Sequence, residues 1–174
     1  MSTSAEPRLA DGRPVVLRAV PYDDEVARAL IARVQQEYVV RYGGPDGAVV
    51  DPAEFAPPAG LFLVAEVDGR PAGCGAWRVH APGTVEVKRV YVEPAVRRQG
   101  LAELVMAALE DSAAAAGHRR VVLNTGDRQP EALALYAALG YTPVPGYGIY
   151  AQAPGAVFLG RDLPVEGRER AWAS

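Results

Sequence analysis

Apolar and polar positions along this chain follow two periods, and the switches between them mark its elements. The run PVVLRAV (14–20) reads as a first strand. Asp23 or Asp24 is then placed to cap a helix reaching about Arg41, whose Val26, Leu30, Val34 and Tyr38 recur every four positions. YGGPDG ends that helix, and VVDPAEFAPPAG reads as a loop with one short helical turn. A loop of that length inside a compact domain is more often functional than idle.

The stretch LFLVAEVDGRPAGCGAWRVH (61–80) predicts a hairpin about Asp68-Gly69, a pair that tolerates positive φ. GTVEVKRVYVEP (83–94) follows as a third antiparallel strand. A helix from about Gln99 to Ala116 sets Leu101, Leu104, Val105, Ala108, Leu109 and Ser112 on one stripe, and Gly117 ends it. RRVVLNTG (119–126) is a strand that a helical crossover should make parallel to 83–92. Pro130 opens a last helix, Gly140 closes it, and YTPVPGYGIY with GAVFLGRDL completes the sheet. The expected class is mixed α/β (α+β): a mostly antiparallel sheet flanked by helices, with one parallel crossover. Residues 1–174 form one domain in this reading, with about 1–12 and 165–174 as flexible ends.

Composition narrows the function classes. A length of 174 residues suits one domain with a proper core. The net charge of -3 offers no general reason to bind nucleic acid or anionic lipid. A single cysteine, Cys74, excludes an intrachain disulfide, and with His80 and His118 the only histidines no metal centre is expected. No run of about 18 apolar residues occurs, and MSTSAEPRLADGRP lacks a basic-then-apolar leader, so the expectation is a cytoplasmic protein without a membrane partner. His80 and His118 are isolated and receive no role; Trp77 and Cys74 read as packing residues, and GRERA as a solvated charge run.

The third strand carries an irregularity. Val85 and Val87 share one parity, Val90 and Val92 the other. Either both faces are buried, or a β-bulge near Lys88-Arg89 inserts one residue; charges on both parities (Glu86, Lys88, Arg89) favour the bulge. The helix after it opens with Arg97-Arg98-Gln99-Gly100-Leu101-Ala102. Unpaired amides and the macrodipole make a helix start electropositive, and Gly100 and Ala102 leave room for a ligand against the backbone. The turn has neither the Lys-[Ser/Thr] of a P-loop nor G-x-G-x-x-G. A phosphate bound here would be a handle on a cofactor rather than the reacting group. By itself, R-x-x-G-x-A reads as an ordinary helix start with charged residues.

The ordered set changes that weighting. VEVKRVYVEPAVRRQGLAELVMAALE followed by VLNTGDRQPEALALYAALGYTPV resembles the GNAT superfamily of acyl-CoA-dependent N-acetyltransferases over about residues 61–145. The matching pieces are Val92-Glu93-Pro94, Arg97-x-x-Gly100-x-Ala102, and Ala132-x-x-x-Tyr136-x-x-x-Gly140-Tyr141. Three positions depart from the commonest pattern: Arg98 and Ala102 stand where glycine is frequent, and Gln129-Pro130 where asparagine is.

The resemblance implies a splayed central sheet with a β-bulge on its central strand and acetyl-CoA in the gap. It implies that Val90, Tyr91 and Val92 offer a backbone edge to the pantetheine arm. The amides of Arg98, Gln99, Gly100, Leu101 and Ala102, with Arg97 and Glu103 beside them, would bind the pyrophosphate. Asn124 either contacts the cofactor's other flank or serves as a turn residue in NTGD. Tyr136 matches the family tyrosine near the cofactor sulfur, where a phenol can protonate a departing thiolate; the competing reading is a packed core tyrosine. Glu86 is the candidate general base for the acceptor amine, acting directly or through water. It reads equally as a strand glutamate paired to Lys88 or Arg78.

Tyr38, Tyr42, Phe55, Tyr147 and Tyr150, with Asp51 and Glu54, stand on the parts that meet the acceptor in this fold. Aromatics with carboxylates suit an amine with an apolar or cyclic body, so the expected partner is a small-molecule amine. A homodimer stays open. The alternatives are a non-catalytic acyl-CoA-binding module and a protein lysine or N-terminal acetyltransferase.

Overall fold

The structure is a computed structural model that describes residues 5–164. Seven strands form one sheet in the order β1-β2-β3-β4-β5-β7-β6. They are β1 (Val15–Ala19), β2 (Gly60–Val67), β3 (Arg70–Ala81), β4 (Thr84–Val92), β5 (Arg120–Gly126), β6 (Thr142–Pro143) and β7 (Ala156–Asp162). Helices α1 (Glu25–Tyr42), α2 (Leu101–Ala115) and α3 (Pro130–Ala138) flank it. Every pairing is antiparallel except β4 with β5, the crossover carried by α2. The expected class and chain order therefore hold.

Local chemistry explains the boundaries. Asp24 caps α1, its carboxylate accepting from the Val26 and Ala27 amides, and Gly43 closes that helix at φ 81. Asp68 and Gly69 turn the β2–β3 hairpin at φ 54 and 72. Within the loop between α1 and β2, Asp51 and Glu54 form a capping box on the single turn Pro52–Phe55.

The sheet is covered on both sides. Leu63, Trp77, Val85, Val87 and Val121 pack against Leu101, Val105, Met106 and Leu109 of α2. Phe62, Val64, Cys74 and Ala76 meet Ala27, Leu30, Val34 and Phe55 on the α1 side. The α2 stripe is wider than expected, because Met106 and Ala113 are also fully buried.

Two expectations are corrected. Leu9 is buried in the α2-side core and the Ala10 amide donates to the Gln99 carbonyl at 2.8 Å, so residues 7–12 are tied down by packing, whereas 1–4 lie outside the described residues. Of YTPVPGYGIY only Thr142 and Pro143 form strand pairs; the Val144 amide donates once more to the Phe158 carbonyl at 3.0 Å, and Pro145 offers no amide to continue. The expected flexible tail, 165–174, lies outside the described residues.

Candidate active site

The parity slip is a bulge. Cys74 faces Tyr91 and Ala76 faces Lys88, so two residues of β4, Arg89 and Val90, stand opposite Gly75 alone. Arg89 takes φ 61 there. Before the bulge Val85 and Val87 point to the α2 side; after it Val90 and Val92 do. Gly75 permits the arrangement, because a Cβ at that position would lie 2.7 Å from Val105 Cγ1 and 2.9 Å from Leu109 Cδ1.

The bulge coincides with the end of parallel pairing. β4 and β5 are joined only from Thr84–Arg120 to Val87–Leu123, and beyond that they part. A cleft of about 860 Å³ fills the gap. Val90, Tyr91 and Val92 line one wall, Asn124 and Thr125 the facing wall, and Tyr136 of α3 projects into it. Asn124 lies within β5, paired with Phe158, which excludes the turn reading.

At one end stands the turn into α2. Pro94–Val96 form a single helical turn, Arg98 adopts φ 62 and Gly100 caps α2 at φ 84. Past Arg97, the next backbone amide with an acceptor among the described residues is that of Leu104, on the Gly100 carbonyl at 3.2 Å. The amides from 98 to 103 thus form an electropositive concavity. Arg98, Gly100, Leu101, Ala102 and Glu103 line the cleft beside it. Arg97 also lines it, but its Nε donates to the Val92 carbonyl at 2.9 Å and its Nη2 to Glu37.

Gln99 and Glu86, both expected at the site, do not line the cleft. Gln99 turns to the N-terminal segment, its Oε1 accepting from the Asp11 amide at 3.1 Å. Glu86 is buried on the α1 side, where its Oε1 accepts from Arg78 Nε at 3.0 Å. The register sets this pairing, since Arg78 and Glu86 are direct cross-strand partners.

Tyr136 is buried at 7% exposure and meets Tyr141 edge-on at 5.6 Å. Burial, with a smaller contribution from Tyr38, raises its phenol well above the ordinary value. Burial also pushes the Tyr38 phenol up to about 12. Tyr38, Tyr42 and Tyr150 line the cleft, whereas Phe55 and Tyr147 do not. Phe55 stacks on Tyr22 at 4.8 Å, and Asp51 and Glu54 are occupied in their capping box.

Sequence reasoning did not assign Asp46, Lys88 and Arg89 to the site, although all three line the cleft. Asp46 Oδ2 lies 3.2 Å from Lys88 Nζ and accepts from Arg89 Nη1 at 2.7 Å. The parity slip at 88–89 was the available signal. Arg41 Nη1 donates to the Arg128 carbonyl at 2.8 Å and Arg128 Nη1 to the Arg41 carbonyl at 3.0 Å, clasping α1 to the β5–α3 loop. Among the described residues no group of His, Cys, Asp or Glu is placed to hold a metal ion, and no helix is long and apolar enough to cross a membrane.

A parted parallel pair, a bulge and an amide-rich helix start are the features the motif set implied, and the family model for the acetyltransferase (GNAT) family matches residues 19–141. The chain belongs to that family. A GNAT relative named IAA acetyltransferase, from Azospirillum brasilense, is 31% identical over 149 residues, covering 85% of this chain and 97% of its own. A solved Klebsiella pneumoniae chain, provisionally named an acyl-CoA N-acyltransferase, shares 30% identity at a TM-score of 0.72, covering 86% of this chain and 97% of that one. The GNAT fold also recurs in an Elizabethkingia anophelis acetyltransferase solved with acetyl-CoA bound, at 15% identity and a TM-score of 0.63, covering 86% and 98%.

Proposed function

We propose that this GNAT protein transfers an acetyl group from acetyl-CoA to the primary amine of a small molecule, by direct attack in a ternary complex. The observation that carries the reading is a single cleft lined both by the open amide cradle at the start of α2 and by Tyr136. The residues fit the cofactor: the cradle and Arg98 suit a pyrophosphate, and the β4 edge at Val90–Val92 suits an extended amide-bearing arm. Asn124 borders the opposite flank.

Acetyl-CoA, when bound, supplies an electrophilic thioester carbonyl and a thiolate leaving group. Tyr136 would hold a proton at its hydroxyl for the departing sulfur, and burial, which raises the phenol, keeps that proton in place at ordinary pH values. Direct attack is favoured over an acyl-enzyme because Cys74, the only cysteine, is fully buried. Burial pushes its thiol up to about 12, and its Sγ lies 3.1 Å from the Arg89 carbonyl oxygen it faces.

The amine must lose a proton before attack. Among carboxylates lining the cleft, Glu37 pairs with Arg97, Glu131 with Arg41 and Asp46 with two cations, and Glu103 stands in the first turn of α2 beside the amide cradle. Glu86, at the last paired stretch before β4 parts from β5, is the base in this reading; held by Arg78 and off the cleft surface, it acts only through water. A basic peptide acceptor is disfavoured by Lys88 and Arg89 on the cleft wall.

The test is release of free CoA thiol from acetyl-CoA with a panel of small amines, with products identified by mass spectrometry. Amine-dependent release that collapses in Tyr136→Phe supports the reading. Tight acetyl-CoA binding without turnover on any amine overturns it in favour of a non-catalytic acyl-CoA-binding module.

A further inference from the structure

The bulge sets two consecutive cations on the cleft wall where β4 leaves β5. This is the end of the gap away from the amide cradle. Lys88 is 11% exposed at its side chain and Arg89 only 3%. A buried cation needs an anion of its own, because desolvation is otherwise uncompensated. Here one carboxylate serves both. Asp46 Oδ2 takes Arg89 Nη1 at 2.7 Å and Lys88 Nζ at 3.2 Å, while Oδ1 is occupied by the Ala48 amide at 2.9 Å.

The remaining donors find little else. Arg89 Nε donates to the Tyr22 hydroxyl at 3.1 Å, and Nη2 has no partner among the described residues. Lys88 Nζ has Asp46 as its one ion-pair partner among the described residues, leaving further N–H directions unused. The other cleft carboxylates with partners are held elsewhere, Glu37 by Arg97 and Glu131 by Arg41. At this end of the cleft two cations thus share the single carboxylate of Asp46, walled by Tyr150 and by Tyr38.

We infer that the acceptor carries a carboxylate beside its amine, and that Lys88 Nζ and Arg89 Nη2 receive it. The class of substrate is an amino acid, its aromatic or aliphatic body resting on the tyrosines. The inference rests on the acetyltransferase reading and deepens it.

The test compares matched acceptors on the full-length protein: phenylalanine with phenylalaninamide and phenethylamine, and β-alanine with β-alaninamide. CoA release and product mass are the readouts. The expected result is that kcat/KM for each carboxylate-bearing amine exceeds that of its amide by about tenfold or more, mostly through KM. In Lys88→Gln that ratio falls toward one, and in Lys88→Arg it persists. Melting curves of both variants establish that they are folded. Turnover that is equal or faster on the neutral amines, or a ratio that survives Lys88→Gln, overturns the anchor while leaving the transferase reading intact. No turnover on any amine despite acetyl-CoA binding overturns the transferase reading, and the anchor with it.

Discussion

Asp46 accepts a hydrogen bond from Arg89 at 2.7 Å, fastening the loop after α1 to the bulge of β4 across 43 positions of sequence. Burial by itself would raise the Asp46 carboxyl. Lys88, the Ala48 amide and Arg89 outweigh it and hold the group well below the usual carboxylate range. Because the folded value lies below the unfolded one, the stabilisation is complete above about pH 4 and is lost as pH falls toward the folded value.

Asp46→Asn is therefore expected to lower stability at pH 7 by about 2 kcal/mol, or about 4–8 °C in Tm. The gap from the parent protein closes as pH is lowered below about 4. Thermal melts of both proteins across that range check the sign as well as the size.

Gly75→Ala tests the packing that allows the bulge. The added methyl would meet Val105 and Leu109 at 2.7 and 2.9 Å, both side-chain ends of α2. Their displacement should cost about 1–3 kcal/mol in denaturant unfolding. Unchanged stability would mean that α2 yields at no cost.

Tyr136→Phe is expected to lower kcat by about 100-fold or more, with a much smaller change in the KM for acetyl-CoA. In the parent protein the raised phenol implies a rate profile without a falling limb near pH 10, where an ordinary tyrosine would ionise. A descending limb there that vanishes in the phenylalanine variant would contradict the assigned environment.

Glu86→Gln separates base from strut. As a base acting through water, its loss lowers kcat by about 100-fold or more with little change in Tm. As a partner of Arg78 alone, it would shift Tm and leave kcat nearly unchanged. Melting curves beside the kinetics distinguish them.

Much of this architecture is local and so was legible in the chain. Caps such as Asp24, the Asp68-Gly69 turn and Gly100 act within a few residues, through backbone conformations and amides that the side chain next to them satisfies. The bulge was equally readable, because a parity slip between Val87 and Val90 has few other physical outcomes on a half-buried strand. Arg98, Gly100, Leu101, Ala102 and Tyr136 line one cleft, an arrangement that the family resemblance, not the turn by itself, implied.

Only tertiary structure decided which charges meet. Parity set Glu86 on the face opposite Val85 and Val87, but the β3 register put Arg78 over it and took it off the cleft surface. Gln99 was drawn to Asp11, 88 positions away. Asp46 sits in a loop without periodicity, so nothing in its neighbours announces that it will balance Lys88 and Arg89. Periodicity and turn chemistry report interactions within one element. Ion pairs between elements depend on where a loop carries the chain, and that path is determined by the packing of the whole sheet and its helices.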